Sequence, residues 1–193
     1  MFLLADFINV TKKYGENVIL EEFSLKLKQG SKTVIMGESG CGKTTLLRIA
    51  AGLEKPDGGE FLTDEKVAVM FQEPRVLPWK NAIDNVKAVL PKEAFPLADK
   101  YLSAVGLEAD RQKYPRELSG GMMQRVAFAR FLAFAEYSGA TLLLLDEPFS
   151  ALDDETGKKM LALLKDFSEG KTVLLVTHDK ADAESFADEI LKL

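Results

Sequence analysis

The chain has a single cysteine among its 193 residues, so it cannot form an internal disulfide framework. Its longest unbroken apolar stretches, such as residues 142–145, fall far short of the roughly 20 residues that a membrane-spanning helix needs. Residues 1–4 lack the charged and extended profile of a signal peptide. The formal net charge of −5 argues against nucleic acid as the main partner. These absences favour a cytoplasmic protein that is soluble when isolated.

The composition is that of an ordinary globular domain, because 47% of the residues are hydrophobic and no internal repeat or low-complexity linker interrupts the chain. Near its beginning, Phe23, Leu25 and Leu27 alternate with Ser24, Lys26 and Lys28. Such alternation is typical of a half-buried antiparallel strand. We therefore expect one globular unit with a small antiparallel sheet close to its N-terminus.

Residues 37–44 fit the phosphate-binding pattern G-x-x-x-x-G-K-[ST] and follow an apolar, strand-like stretch at 33–36. The glycines let backbone amides turn toward phosphates, Lys43 supplies a positive charge, and the Thr44 hydroxyl can ligate magnesium. The alternative is a glycine-rich turn that holds no ligand. The pattern predicts a site for a nucleoside triphosphate and Mg²⁺, with contacts from Gly37, Glu38, Ser39, Gly40, Cys41, Gly42, Lys43, Thr44 and Thr45.

Four β-rich apolar runs predict strands that are buried on both faces, as in a parallel sheet. They cover residues 33–36, 67–71, 141–145 and 172–176. The residues that follow them are the phosphate loop, Gln72, the pair Asp146 and Glu147, and the pair Thr177 and His178. Open α/β sheets bind ligands at the carboxyl ends of their strands, so we expect the site at that edge.

About seventy residues separate the second run from the third, which is too many for a plain crossover connection. Helical patterns occur there at 82–90 and 97–105, and Gly106 ends the second one. We therefore predict a helical lobe inserted into one domain. The predicted division is a helical subdomain at 76–136 and a nucleotide-binding core formed by 1–75 and 137–193.

A second motif begins at Leu118 and reads LSGGMMQR, and a helical pattern continues after it. The phosphate loop, this motif, the block 142–147 and His178 follow one another in the order found in the ABC ATPases, and the sequence resembles that family. In the family, the LSGGQ signature begins a helix that faces phosphate. The alternative for Ser119, Gly120 and Gly121 is a common helix-capping arrangement. The resemblance implies an α/β fold: a P-loop NTPase core of the RecA-like type with a mainly parallel sheet, a small N-terminal antiparallel β subdomain and an inserted α-helical subdomain that carries the signature.

The resemblance also implies roles for individual residues. Tyr14 would stack on adenine, and Gln72 would contact magnesium and report phosphate status to the helical lobe. Asp146 would organise the magnesium, Glu147 would polarise the attacking water, and His178 would lie near the γ-phosphate. The alternatives are an exposed turn tyrosine, a solvated loop amide, a solvated strand end and a structural histidine.

The implied reaction is the hydrolysis of ATP to ADP and phosphate, with Lys43, Glu147 and His178 as catalytic residues. In the family, the signature of one subunit covers the nucleotide of the other. The resemblance therefore implies that Ser119, Gly120 and Gly121 of one copy cover the ATP of a second copy, so two copies would enclose two ATP molecules. Residues 150–153 resemble the loop that crosses to the partner subunit, although a polar turn with a helix cap fits them equally well.

Residues 71–79, FQEPRVLPW, and 84–86, DNV, most resemble the ATP-binding subunits of importers of the nitrate, sulfonate, taurine and thiamine-precursor type. Pro78 and Trp79 are the suggestive pair, although they also fit a loop end and a packing residue. The resemblance implies an integral membrane permease partner, a solute-binding protein that acts indirectly, and a location on the cytoplasmic face of the membrane. The chain ends soon after His178, so we expect no C-terminal regulatory domain.

Three other functions stay open. The first is a soluble ABC ATPase in DNA repair or ribosome-associated work, but such relatives usually carry a long coiled-coil insertion or two fused ATPase units. The second is an exporter, since the ATPase does not encode the direction of transport. The third is an unrelated P-loop kinase, which leaves Ser119, Gly120 and Gly121 beside a carboxylate pair unexplained.

Overall fold

The computed structural model describes residues 3–193, which divide into two compact units. The first unit comprises residues 3–69, 141–147 and 168–193. The second comprises residues 70–140 and 148–167. The predicted helical lobe at 76–136 lies inside the second unit, and the division of the chain at 75 and 137 stays a prediction.

The first unit contains a three-stranded antiparallel sheet. Its order is β2-β1-β4, formed by β1 (Leu3–Tyr14), β2 (Asn17–Lys28) and β4 (Gly58–Thr63). In β2, Leu25 and Leu27 are buried while Lys26 and Lys28 are exposed. The antiparallel strand predicted from alternation is therefore confirmed.

The second sheet of this unit has five strands in the order β5-β6-β7-β3-β8. Its members are β3 (Lys32–Met36), β5 (Val67–Met70), β6 (Leu142–Asp146), β7 (Thr172–Val176) and β8 (Glu189–Lys192). The pairs β6–β7, β7–β3 and β3–β8 are all parallel. Every residue of β6 and β7 is buried, because a parallel sheet covered on both faces accepts continuous apolar runs. The four predicted strands are confirmed to within one residue at each end.

This strand order decides where the site can form. Strands β6, β7 and β3 are neighbours, so their carboxyl ends meet at one edge of the sheet. Two helices of the same unit begin just beyond that edge, α1 (Lys43–Ala50) after β3 and α6 (Lys180–Phe186) after β7. The topology therefore brings together residues that lie about 100 positions apart in the chain.

The second unit is helical and contains α2 (Ala82–Lys87), α3 (Phe95–Ala104), α4 (Gly120–Ser138) and α5 (Asp154–Phe167), with short 3₁₀ turns at Lys92–Ala94 and Pro115–Glu117. Helix α4 begins at a serine cap, since the Ser119 hydroxyl accepts a hydrogen bond from the Met122 amide, and it ends at Gly139 in the left-handed region. Within residues 3–193, every helix is too short or too polar to span a bilayer.

Candidate nucleotide-binding site

The phosphate loop connects β3 to α1, and its glycines satisfy a backbone requirement. Gly42 precedes α1 with φ of 101°, a conformation that other residues rarely adopt. A Cβ atom on Gly42 would also lie 2.9 Å from Cγ2 and 3.1 Å from the carbonyl oxygen of Ile19. A Cβ atom on Gly37 would lie 2.7 Å from Cys41 Sγ. Only glycine fits either position, so the spacing seen in the sequence is what the loop geometry demands.

Lys43 is the first residue of α1, and its side chain turns back into the loop. Its Nζ donates hydrogen bonds to the carbonyl oxygens of Gly37, at 2.8 Å, and Glu38, at 2.6 Å. A further contact of 3.7 Å joins Nζ to Cys41 Sγ. The lysine is buried, so the loop encloses a fixed positive charge. Such a charge, next to backbone amides at a helix N-terminus, is suited to binding phosphate.

The next residue, Thr44, connects the loop to the end of β6. Its hydroxyl donates a 2.6 Å hydrogen bond to Oδ2 of Asp146, which is only 3% exposed. Burial raises the pKa of the Asp146 carboxyl group, and the hydrogen bond from Thr44 opposes that rise. A hydroxyl and a carboxylate oxygen are both hard donors, and Mg²⁺ takes one or two of these from a protein while water and substrate phosphates supply the rest. The pair therefore fits a magnesium ion.

Glu147 follows β6 directly, and its backbone is in the left-handed region with φ of 43°. Its amide donates to the carbonyl of Val176 in β7 at 2.9 Å, which holds this conformation against the neighbouring strand. Glu147 Oε2 lies 2.7 Å from Nδ1 of His178, just beyond β7. An ionised carboxylate only accepts hydrogen bonds, so the imidazole that pairs with it donates from Nδ1 and, when neutral, keeps Nε2 as its acceptor nitrogen. The His178 side chain is 66% exposed and that of Glu147 is 16% exposed, so the pair has a buried end and an open one.

The carboxyl edge of the five-stranded sheet thus brings five predicted residues together. They are Lys43, Thr44, Asp146, Glu147 and His178. The edge combines an enclosed cation, a candidate metal pair and a carboxylate with an attached imidazole. That combination can bind a triphosphate, hold a metal on it and orient a water molecule.

Tyr14 lies at the end of β1 and is exposed, with its hydroxyl 2.5 Å from Glu54 Oε1. The ammonium of Lys12 lies 5.5 Å from the centroid of the tyrosine ring and also pairs with Glu54. The ring is therefore held by a carboxylate that sequence reasoning missed, because no motif links two residues 40 positions apart. Adenine stacking by Tyr14 stays a prediction.

The remaining predicted residues belong to the second unit. Gln72 is exposed in the loop after β5. Ser119 caps α4, and a Cβ atom on Gly121 would lie 3.3 Å from the carbonyl oxygen of Ala151, while one on Gly120 would meet nothing within 4 Å. The capping alternative is therefore physically real, and it leaves the phosphate role of these residues a prediction.

Sequence reasoning also missed the contacts by which two residues hold the loop after Gln72. Arg130 in α4 donates to the carbonyls of Pro74 and Arg75. Buried Asn85 in α2 accepts from the Leu77 amide at 2.6 Å and donates to backbone carbonyls around it. Asn85 is part of the DNV resemblance and lies on the buried face of a predicted helix, but neither signal identifies its partner.

The fold and this edge define a P-loop nucleotide-binding protein. The model of the family described as ABC transporter matches residues 20–150. This match covers more than half of the chain, and the chain therefore belongs to the ABC transporter family.

Curated relatives are similar over most of the chain. The aliphatic sulfonates import ATP-binding protein SsuB 2 of Paraburkholderia xenovorans is 45% identical over 185 residues, which are 93% of this chain and 72% of that protein. The aliphatic sulfonates import ATP-binding protein SsuB of Escherichia coli is 43% identical over 192 residues, 94% of this chain and 74% of that protein.

Two solved structures share the fold. The dimeric post-hydrolysis state of the ATP-binding cassette MJ0796 bound to ADP and Pi matches with a TM-score of 0.88 and 34% identity, over 98% of this chain and 94% of that one. A dimeric structure of the bacterial ABC transporter cassette MJ0796 matches with a TM-score of 0.85 at the same identity and coverage. The expected fold class, a P-loop α/β core with an antiparallel N-terminal sheet, is therefore confirmed.

Proposed function

We propose that the chain is the ATP-binding and ATP-hydrolysing subunit of an ABC importer, and that its system takes up small anionic solutes of the sulfonate type. The observation that carries this proposal is the edge of the sheet where Lys43, the Thr44–Asp146 pair and the Glu147–His178 pair meet. The membership in the ABC transporter family and the import ATP-binding proteins among the relatives support the transport role.

ATP would bind with its triphosphate in the loop that connects β3 to α1. The amides of the loop and the ammonium of Lys43 would contact the phosphates, where two carbonyl oxygens now accept from that ammonium. Thr44 and Asp146 would hold Mg²⁺, which would neutralise phosphate charge. Tyr14 would stack on the adenine ring.

Glu147 would orient the attacking water and accept its proton as the bond to the γ-phosphate forms. The backbone of Glu147 is fixed by its hydrogen bond to Val176, so the carboxylate needs little reorganisation before the reaction. His178 would keep that carboxylate in place through Nδ1 and present Nε2 toward the γ-phosphate. The displacement is in line and needs no covalent intermediate.

A second copy of the chain would complete each site. Ser119, Gly120 and Gly121 lie at the N-terminus of α4, where backbone amides attract anions, and in the proposed dimer they would cover the partner's ATP. ATP would then bind the closed dimer better than the open one, which is the requirement for a ligand that drives motion. The dimeric ATP-binding cassettes of the same fold support this arrangement.

The proposed dimer would act on an integral membrane permease at the cytoplasmic face of the membrane, and a solute-binding protein would deliver the transported molecule to that permease. The test is affinity purification of tagged protein from gently solubilised native membranes, followed by mass spectrometry. We expect an integral membrane protein to co-purify, together with ATP hydrolysis by the purified assembly. The tag alone and the Lys43→Ala variant are the controls for capture and hydrolysis. Recovery of only soluble proteins or nucleic acid from intact membranes would contradict the transport role.

A further inference from the structure

The segment between β5 and α2, residues 71–81, forms an irregular loop that contains Gln72 and exposes Trp79. The Trp79 side chain is 70% exposed. Exposed irregular loops are usually the more mobile parts of a protein unless other groups hold their backbone. Side chains from the helices of the second unit hold the backbone of this loop.

Arg130 of α4 is one of those groups. Its Nη2 donates a 2.6 Å hydrogen bond to the carbonyl oxygen of Pro74, and its Nη1 donates one of 3.1 Å to that of Arg75. Burial lowers the pKa of the guanidinium, so this charge has been removed from water to reach the two carbonyls. Charge-assisted hydrogen bonds are stronger than neutral ones, and those from a rigid planar donor fix direction as well as distance.

The backbone that accepts these hydrogen bonds from Arg130 is itself strained. Arg75 has φ of 42°, in the left-handed region that an L-residue with a Cβ atom rarely adopts. Holding such a residue there costs about 1–2 kcal/mol, so the conformation persists only where surrounding contacts impose it. The Arg75 side chain is exposed and pairs with the nearby Glu73, so its own contacts are local. The long-range contact at this position comes from Arg130, 55 residues away in the chain.

We propose that Arg130 is a positioning residue for ATP hydrolysis: it holds residues 74 and 75 in a strained turn and thereby fixes Gln72, two residues before the turn. This inference rests on the proposed function, because Gln72 is the residue of the loop expected to contact magnesium and phosphate. Arg130 acts through the backbone of the loop and makes no contact with ATP. A misplacement of about 1 Å far from the chemistry is enough to lower a rate by roughly a hundredfold.

The test begins with Arg130→Met, which keeps an unbranched apolar stem and removes both donors. We expect kcat for ATP hydrolysis to fall by roughly ten- to a hundredfold. The affinity for ATP should change by less than about twofold, because Lys43 and the phosphate loop are untouched. Arg130→Lys should have a rate between those of Arg130→Met and the wild type, because an ammonium cannot donate to both carbonyls in the fixed planar geometry of a guanidinium.

A second substitution separates positioning from packing. Asparagine enters the left-handed region more easily than arginine, so Arg75→Asn should stabilise the turn by itself. In the Arg130→Met background it should restore kcat at least in part, while Arg75→Asn alone should leave kcat near the wild-type value. An arginine that only packs α4 would not be rescued by a change of backbone preference at residue 75.

Trp79 gives a readout that needs no ATP. It is the only tryptophan of the chain, so the anisotropy of its fluorescence reports on this loop. We expect lower anisotropy in Arg130→Met and recovery in the double variant. Lys100→Met is the matched control, because Lys100 is exposed and pairs with Glu136 of the same α4 helix at 2.6 Å, outside the loop. It should change neither the anisotropy nor kcat.

Two outcomes would overturn the proposal: Arg130→Met with unchanged kcat and anisotropy, or a lost rate that Arg75→Asn does not recover. The proposed function fails separately, through a wild-type protein that does not hydrolyse ATP in its native assembly. The Trp79 anisotropy would decide even then whether Arg130 holds the loop.

Discussion

Replacement of Glu147 by glutamine removes the proposed general base and changes little else. Glutamine has the same length, and its amide can still hydrogen-bond to Nδ1 of His178, which now lies 2.7 Å from Oε2. The amide of residue 147 keeps its 2.9 Å hydrogen bond to the carbonyl of Val176, since the backbone is unchanged. The variant should therefore fold as the wild type does and bind ATP, but it should not activate water.

The expected size of the effect follows from that single loss. A positioned general base typically contributes a factor of 10² to 10⁴, so kcat should fall by that factor, which corresponds to about 2.7–5.5 kcal/mol in the activation free energy. The stability should change by less than about 1 kcal/mol, because the His178 side chain is 66% exposed and exposed pairs contribute little. Activity and stability should thus separate widely in one variant.

The assays are phosphate release and light scattering under saturating Mg-ATP. Because ATP should favour the closed dimer and hydrolysis should open it, Glu147→Gln should accumulate at about twice the monomer mass of 21.3 kDa. Glu60→Gln, on an exposed position of β4, is the control and should behave as the wild type. Hydrolysis at the wild-type rate, or a monomeric mass with bound ATP, would refute the role of Glu147.

Three further outcomes are expected. Lys43→Ala should abolish ATP binding in equilibrium dialysis, because it removes the buried ammonium of the loop, and an unchanged affinity would contradict the phosphate site. Asn85→Ala should lower the unfolding free energy in urea by about 2–3 kcal/mol, since it orphans the Leu77 amide and nearby carbonyls; a loss below 1 kcal/mol would show that water replaces the side chain. Leu144→Ala, at a fully buried position of β6, should cost about 3–5 kcal/mol in the same assay, and a smaller loss would mean that the sheet relaxes into the cavity.

The fold was predictable where one physical requirement dominates a segment. Strands β6 and β7 contain the apolar runs 142–145 and 173–176, and every residue of both strands is buried, so the sequence pattern and the burial agree. Phosphate-loop glycines were predictable for a similar reason, because no other residue fits at Gly42. In both cases the requirement is local and leaves little room for alternatives.

Helix ends were less predictable, and prolines explain the differences. The helical pattern at 82–90 ends at Lys87, and Pro91 accounts for the exclusion of Leu90 from the helix, since proline disfavours helical backbone in the residue before it. The pattern at 97–105 begins earlier, at Phe95, because Pro96 fits the first turn of a helix. Both prolines can be read from the sequence, and the backbone constraint of a proline is better evidence for a helix end than the spacing of the hydrophobic residues.

Pairings across the site were beyond sequence reasoning. The contact between Glu147 and His178 joins residues 31 positions apart, and the one between Thr44 and Asp146 joins residues 102 positions apart. Each depends on the order in which β6, β7 and β3 lie in the sheet. Resemblance to a family supplied the candidate residues, and the order of the strands determines the distances between them.

Strained backbone occurs both inside the antiparallel sheet of this protein and outside it. Among residues 3–193, four residues other than glycine have positive φ: Asn9, Glu22, Arg75 and Glu147. The first two lie where the register between β1 and β2 shifts, and a bulge accounts for such a conformation. The other two lie outside that sheet. Glu147 is the proposed base, and Arg75 follows Gln72 closely.

Strain of this kind costs of order 1–3 kcal/mol for each residue and persists only where neighbours impose it. Here the neighbours are identified: the Val176 carbonyl in a fully buried strand holds Glu147, and the guanidinium of Arg130 holds Arg75. Each strained residue is thus tied to a more rigid element, the sheet in one unit and helix α4 in the other. The proposed catalytic carboxylate of Glu147 and the loop that contains Gln72 therefore depend on β7 and α4 for their geometry, and substitutions that remove these contacts should lower turnover more than they lower ATP affinity.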